Sequence, residues 1–210
     1  MQHTFPVVKE TFKKRLTGPL PGLSAQLKMA PAGREGLDIE QLDKANVKHA
    51  AVLALFTEIE QEAHLVLTKR VSYPGVHSGQ MSFPGGKKEQ QDENYMQTAL
   101  RETEEEIGVH ANNVEVAGEL SPLYIPPSNF YVQPFIGFLN NHQSFKAQEL
   151  EVEKIHLIPF YEVLQAENQS FQDFNRNGQI VQVPVFKLDN QIVWGATAMM
   201  ISELKSLYLG

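Results

Sequence analysis

At 210 residues, with 42% apolar residues and a net charge of −7, the chain suits one domain with extensions and a sizeable core. It has no cysteine, which excludes disulfides, zinc-thiolate sites and thiol nucleophiles. The acidic balance argues against a broad nucleic-acid surface, which needs many cationic phosphate contacts. Nothing resembles a signal peptide, an apolar span of about 20 residues or a peroxisomal tag, so the expectation is a cytoplasmic protein with no membrane partner.

The opening stretch, 1–45, is polar and punctuated by proline. In it Val7, Val8, Phe12 and Leu16 recur near helical spacing and predict a helix over 7–16. We set this stretch apart as an N-terminal extension from a domain over 46–210; its helix has two destinations, the core or the partner chain of a homodimer. An apolar run over 50–56 and an alternating segment over 64–70, joined by a polar turn, predict a β-hairpin. Ser82, Phe83, Pro84, Gly85 and Gly86 then form a breaker signal, where glycines let a ligand approach the main chain. Lys69, Arg70, Lys87 and Lys88 flank it and supply local cations for a polyanionic small ligand. A helix follows over 94–107, stopped by Gly108. Strands are predicted over 114–120 and 131–139, and between them Tyr124, Ile125, Pro126, Pro127, Ser128 and Asn129 make a rigid loop beside the expected ligand. A buried strand over 155–158, a short helix start over 159–165 and an edge strand over 180–188 come next. The chain closes with a helix over 196–208 whose Met199, Ile201, Leu204 and Leu207 face inward, and Trp194 reads as packing.

Within the helix over 94–107, Glu102, Glu105 and Glu106 stand at i, i+3 and i+4, so they project side by side and repel unless a cation lies among them. They also occupy the last turns, where each negative charge opposes the helix dipole by about 0.3–1 kcal/mol. An acidic run alone is ordinarily a solvated face. The glycine turn ahead of it, and Arg101 one turn before Glu105, shift the reading to a magnesium site that handles a phosphate chain. Magnesium takes oxygen ligands and keeps waters, so a few carboxylates and substrate phosphate oxygens complete its shell. Asp92 and Glu93, at the start of the helix, read as an N-cap with favourable dipole charge.

The segment 85–109 resembles the Nudix box of the Nudix hydrolases. That pattern is a Gly, five residues, a Glu, seven residues, Arg-Glu, an apolar residue, any residue, Glu-Glu, any residue, Gly and an apolar residue. Arg101, Glu102, Glu105, Glu106, Gly108 and Val109 fall in register, and seven residues separate Glu93 from Arg101. Two positions depart: six residues separate Gly86 from Glu93, and Thr103 takes the apolar place. The first departure leaves open whether Asp92 or Glu93 is the early acid. Upstream, Val66, Leu67, Thr68, Arg70, Gly79, Phe83, Pro84, Gly85 and Gly86 resemble the signature of the coenzyme A pyrophosphatase branch, in which Asp92 sits nine residues before the Arg, as here. In this signature Val71 replaces a Ser, Gly75 an Arg and Glu89 an Asp. Residues 192–198 are similar to the closing segment of the branch.

The resemblance implies an α+β fold, the Nudix α/β/α sandwich with a mixed β-sheet between helices. It implies Mg2+ or Mn2+ held by Glu102, Glu105 and Glu106, Arg101 as their partner, and water attacking phosphorus in line. The general base is a box glutamate or a later acid; Glu149, Glu151 and Glu153 precede the strand over 155–158, and Glu151 matches the branch best. Substrate contacts fall to Arg70, Gly85, Gly86, Lys87 and Tyr131. Arg70 faces either a phosphate or a surface acid, Tyr131 and Phe130 either stack on adenine or fill the core, and His77 is a loop histidine that titrates in the useful range. The substrate expected is coenzyme A or acyl-coenzyme A, split into 3′,5′-ADP and 4′-phosphopantetheine. The loss of a basic residue at Gly75 favours another nucleoside diphosphate derivative, such as ADP-ribose or a dinucleotide. A non-catalytic nucleotide-sensing module is the remaining reading, against which the intact acids and Arg101 weigh.

Overall fold

The computed structural model describes residues 3–32, 42–72, 79–141, 143–176 and 178–210. Its centre is β1 (Lys48–Ile59), a long apolar strand that runs parallel to β7 (Phe130–Leu139) and antiparallel to β2 (Glu62–Arg70) and β4 (Gly85–Lys87). The predicted hairpin forms: Ile59 pairs with Glu62 across a two-residue turn in which Glu60 and Gln61 both take positive φ. The main sheet runs β3 (Met81–Ser82), β2, β1, β7, β5 (Val114–Glu119). Along it β6 (Leu123–Ile125) pairs with β7, and β8 (Val152–Pro159) pairs with β2. Parallel and antiparallel ladders together make the sheet mixed.

Strand alternation splits β1 between two cores. Ala51, Leu53 and Leu55 face α3 (Tyr95–Ile107), packing with Ala99 and Ile107. Ala50, Ala54 and Phe56 face the other way, toward α1 (Phe5–Arg15) and α5 (Gly195–Leu209). Helices on both faces of a mixed sheet give the expected α/β/α sandwich.

The lead helix goes to the core. Phe5, Val8 and Phe12 of α1 are buried, while Val7 is exposed. The Phe12 ring lies 5.4 Å from both Phe56 and Tyr208 and 5.8 Å from Phe160. Behind it α2 (Gly22–Gln26) is fastened to α5 by Glu203, whose carboxylate accepts from the N–H of Gly22 and of Ser121, each at 3.1 Å, and from Gln26 Nε2 at 2.8 Å. Three donors on one carboxylate explain how an acid is buried in the middle of this helix. Met199, Ile201, Leu204 and Leu207 are buried as expected, but so are Met200 and Ser202, so α5 is enclosed on more than one side.

One strand assignment changes. The segment 180–188 lies within β10 (Gln179–Leu188), which is central, not an edge, in a small sheet with β9 (Gln169–Arg176) and β11 (Gln191–Trp194). The partner β9 is polar, QSFQDFNR, and leaves Phe171 exposed, so apolar patterning gives it little signal. Trp194 packs on Phe174 at 4.8 Å, consistent with a packing role. The short α4 (Phe160–Leu164) follows β8 directly.

Candidate active site

The acidic helix is bounded by two local signals. Asn94 caps its start, accepting from the Gln97 N–H at 2.9 Å, and Gly108 ends it in the left-handed region with φ 73°. The cap is therefore Asn94, and the Asp92–Glu93 capping assignment is corrected. Glu93 is exposed, with its N–H donating to Gln97 Oε1. Asp92 is buried, because a turn returns it under the helix: the Glu89 N–H donates to Asp92 Oδ2, and Lys88 Nζ donates to the Asp92 carbonyl.

Asp92 is the anchor of Arg101. The guanidinium donates from Nε to Asp92 Oδ1 and from Nη2 to Asp92 Oδ2, each at 3.0 Å, and Thr98 Oγ1 adds a third bond at 3.0 Å. From there Arg101 reaches Glu102 Oε1 and Glu105 Oε2, each at 3.0 Å, and the Lys87 carbonyl at 3.1 Å. A planar fork fixed on one buried carboxylate can position two more. Arg101 holds the Asp92 carboxyl far below the ordinary carboxylate range, and Asp92 in turn raises the guanidinium.

The glycine pair lies directly beneath the carboxylates. Gly85 opposes Val52 and Gly86 opposes Ala51 in the β1–β4 ladder. A Cβ on Gly86 would overlap the Glu102 carboxylate, and one on Gly85, where φ is 142°, would overlap the backbone of Ala51 and Val52. Absence of side chains there lets Glu102 and Glu106 lie against the strand. The Gly85 N–H donates to Glu106 Oε2 at 3.1 Å.

Three carboxylates differ in setting. Glu106 is 2% exposed, and burial raises it to about 7 against the opposing Gly85 N–H and Arg70. Glu102 is also raised, by burial first, with Arg101 pulling the other way. The Glu105 side chain is 58% exposed and held by Arg101. Glu151 adds its negative charge to both Glu102 and Glu106, while Glu153 pairs outward with Lys69 at 2.7 Å. Among the described residues no three histidine, aspartate or glutamate side chains converge closely enough to hold a metal unaided. Magnesium asks for less than that: one or two carboxylates, with waters and phosphate oxygens completing the shell. Two desolvated, mutually repelling carboxylates on bare glycine backbone fit such a cation.

Arg70 ends β2 at a register shift, where Lys69 opposes Lys154 and Arg70 opposes Val152. Its Nη1 lies 3.6 Å from Glu106 Oε1. The acid it meets is therefore the buried Glu106 and not a surface acid. Next in the chain, the Val71 N–H donates to the Glu151 carbonyl at 3.0 Å, which ties the Glu151 turn to the same edge. Lys87 contributes its carbonyl to Arg101 and leaves its side chain exposed.

Tyr131 is enclosed, not open. It is 6% exposed, with the His49 ring 5.9 Å and the Tyr95 ring 6.0 Å away and Lys44 Nζ 5.1 Å from its centroid. His49 Nε2 lies 2.9 Å from the Lys44 carbonyl, which can only accept; Nε2 therefore carries the proton and Tyr95 donates to Nδ1 at 2.6 Å. Phe130 carries Lys48 Nζ 5.4 Å from its centroid. His77 and Gly75 lie outside the described residues. A separate polar hollow of about 770 Å³, between α4 and the β10–β11 turn, shares no residue with the acidic helix.

Sandwich and acidic helix together define a hydrolase of the Nudix type. The chain belongs to the Nudix family, with the NUDIX domain matching residues 47–183. It is 39% identical over 160 residues to a Yersinia enterocolitica protein named uncharacterized Nudix hydrolase NudL, covering 76% of this chain and 81% of that relative. A protein of the same name from Yersinia pestis is 36% identical over 143 residues, covering 68% and 71%. Among solved structures, the NUDIX domain of Shewanella oneidensis NrtR, complexed with ADP ribose, gives a TM-score of 0.52 at 17% identity, covering 81% of this chain and 93% of that one. RenU, a Nudix hydrolase from M. smegmatis, gives 0.53 at 14%, covering 77% and 85%. At such identities the likeness is one of fold. No helix among the described residues is long and apolar enough to cross a membrane.

Proposed function

We propose that this Nudix hydrolase cleaves the diphosphate linkage of a nucleoside-diphosphate-linked small molecule in a reaction dependent on Mg2+ or Mn2+, with coenzyme A or acyl-coenzyme A as substrate. The observation that carries the chemistry is the pair Glu102 and Glu106, desolvated against Gly86 and Gly85 and braced through Arg101 on Asp92. Glu102 and Glu106 would hold the cation, with Glu105 at their exposed margin. When bound, the metal neutralises the diphosphate, lowers the pKa of a bound water and stabilises the leaving phosphate.

The protein's own groups do the rest. Arg101 fixes the carboxylate of Glu102 and restrains Glu105, so neither has to be ordered during the reaction. Glu151, the loop acid whose charge reaches both buried glutamates, accepts the proton of the attacking water. Arg70 and Lys87 bear on the phosphates, whereas Tyr131, enclosed with Tyr95 and His49, is left out of the substrate contacts. The protein acts without nucleic acid or membrane, in the cytoplasm.

Coenzyme A is favoured by the upstream residues Val66, Leu67, Thr68, Arg70 and Phe83, Pro84, Gly85, Gly86, with Asp92 nine residues before Arg101. The burial of Asp92 under Arg101 gives that spacing a physical reason. ADP-ribose or a dinucleotide is the second reading, supported by Gly75 where the branch has a basic residue and by the ADP ribose complex of the NrtR domain. A panel of coenzyme A, dephospho-coenzyme A and ADP-ribose, each with Mg2+ and with Mn2+, separates them. Turnover of coenzyme A with discrimination against dephospho-coenzyme A supports the first, faster turnover of ADP-ribose the second. No phosphomonoester from any of them overturns both and leaves the sensing module.

A further inference from the structure

The two arginines at the acidic helix are placed very differently. Arg101 is well supplied: each of its three nitrogens meets an acceptor, among Asp92, Glu102, Glu105 and the Lys87 carbonyl, at 3.0–3.1 Å. Arg70 is not. Among the described residues its one ion pair, to Glu106, is 3.6 Å long, well beyond the roughly 2.7–2.9 Å of a charge-assisted hydrogen bond. Its Nε is buried and has no hydrogen-bond partner among the described residues. Among the described residues this leaves the buried Nε without an acceptor and the rest of the guanidinium with one loose contact.

Glu106 shows the complementary asymmetry. Oε2 takes the Gly85 N–H at 3.1 Å, and Oε1 is the oxygen that Arg70 covers. A divalent cation bound at Glu106 Oε1 would meet Arg70 there, and two cations at contact distance on one carboxylate repel strongly. Backbone geometry holds Arg70 close enough to compete, since the register shift at Lys69 and Arg70 and the Val71-to-Glu151 hydrogen bond fix the end of β2 beside the helix.

We propose that Arg70 is the resident counter-cation of Glu106 in the metal-free enzyme, which yields Glu106 to the metal and turns its guanidinium to a phosphate oxygen of the substrate. This rests on the reading of Glu106 as a metal ligand. The exchange keeps a buried carboxylate neutralised at every stage, and it releases the phosphate-binding cation only when the metal is in place. Loading thereby becomes ordered, metal before diphosphate.

The test measures Mn2+ binding by calorimetry to the wild type, Arg70→Gln and Arg70→Lys, each with and without methylenediphosphonate, a non-hydrolysable diphosphate. Without the diphosphonate, Arg70→Gln is expected to bind Mn2+ about fivefold more tightly than the wild type, because a competing positive charge is gone, and Arg70→Lys to stay within about twofold. With Mn2+ saturating, Arg70→Gln is expected to bind the diphosphonate about tenfold more weakly. Equal or weaker Mn2+ binding by Arg70→Gln overturns the proposal alone; no Mn2+ binding by the wild type overturns it together with the metal-site reading. Because the glutamine variant could fail to fold, the arginine side-chain Nε–H resonance of Arg70 in wild-type protein supplies an independent readout. It is expected to shift on adding Mg2+ alone and again on adding the diphosphonate, and a resonance indifferent to Mg2+ refutes the exchange.

Discussion

Replacing Glu106 by glutamine in metal-free protein isolates the cost of keeping a carboxylate ready for a cation. Burial raises this carboxyl from 4.5 to about 7, with the Gly85 N–H and Arg70 only partly offsetting it. The folded-state value lies above the unfolded one, so between these two pH values the folded protein holds the proton more tightly. The contribution of this group to stability is therefore greatest below pH 4.5, declines as pH rises toward 7 and is level above it. At 1.36 kcal/mol per pH unit, that window sets an upper bound of about 3 kcal/mol. Relaxation around a site with one open side reduces it to about 1–2 kcal/mol. Glutamine still offers an oxygen to the Gly85 N–H and stays neutral. With metal chelated at pH 8, Glu106→Gln should then melt roughly 2–8 °C above the parent, on the usual scaling for a chain of this size. At pH 4.5 the two should coincide, and with excess Mn2+ the order should reverse, since only the parent gains from binding. Thermal melts at the two pH values decide it. A variant that melts lower than the parent by the same interval at both would show that Glu106 is simply a buried hydrogen-bonding group.

Other substitutions probe the remaining parts. Gly86→Ala places a methyl group where the Glu102 carboxylate lies; because the obstructed group is the end of a flexible side chain, stability should change by less than about 1 kcal/mol while turnover falls about 100-fold. Asp92→Asn breaks a buried pair and should destabilise by about 3 kcal/mol at pH 7. Since the folded Asp92 carboxyl lies below its unfolded value of 3.8, that contribution is present above pH 4 and should fade as the pH is lowered further, so parent and variant melts should converge in acid. Glu151→Gln should reduce turnover by about 100-fold or more with little change in KM, while Glu153→Gln, which loses only the outward pair with Lys69, should stay near the parent; equal activity of both variants would remove Glu151 from the mechanism.

Much of this was legible in the sequence because it is local. The end of α3 followed from Gly108 and its acidic face from the spacing of Glu102, Glu105 and Glu106, all of which act within a few residues of one another. The hairpin of β1 and β2 and the closing helix followed from apolar patterning for the same reason. Asp92 was misassigned as a cap because its partner lies nine residues away: a side chain just ahead of a helix ordinarily caps it, and only the returning turn at Glu89 directs this one to Arg101. The nine-residue spacing was the available signal. Arg70 and Glu106 meet through the β-sheet, 36 positions apart in the chain, and no periodicity predicts such a pair. The strand β9 escaped because it satisfies its backbone on β10 while carrying little apolar pattern.

The central claim is that Glu102 and Glu106, set against bare glycine backbone, serve metal-dependent cleavage of a diphosphate. Its most direct test is phosphorus NMR of coenzyme A and ADP-ribose incubated with purified protein, with Mg2+ or Mn2+ and again with the metal chelated, beside Glu102→Gln. The account predicts that a diphosphate signal is replaced by two phosphomonoester signals only in the metal-loaded wild type. A diphosphate signal that persists in both substrates, or that Glu102→Gln removes as fast as the wild type, would contradict it.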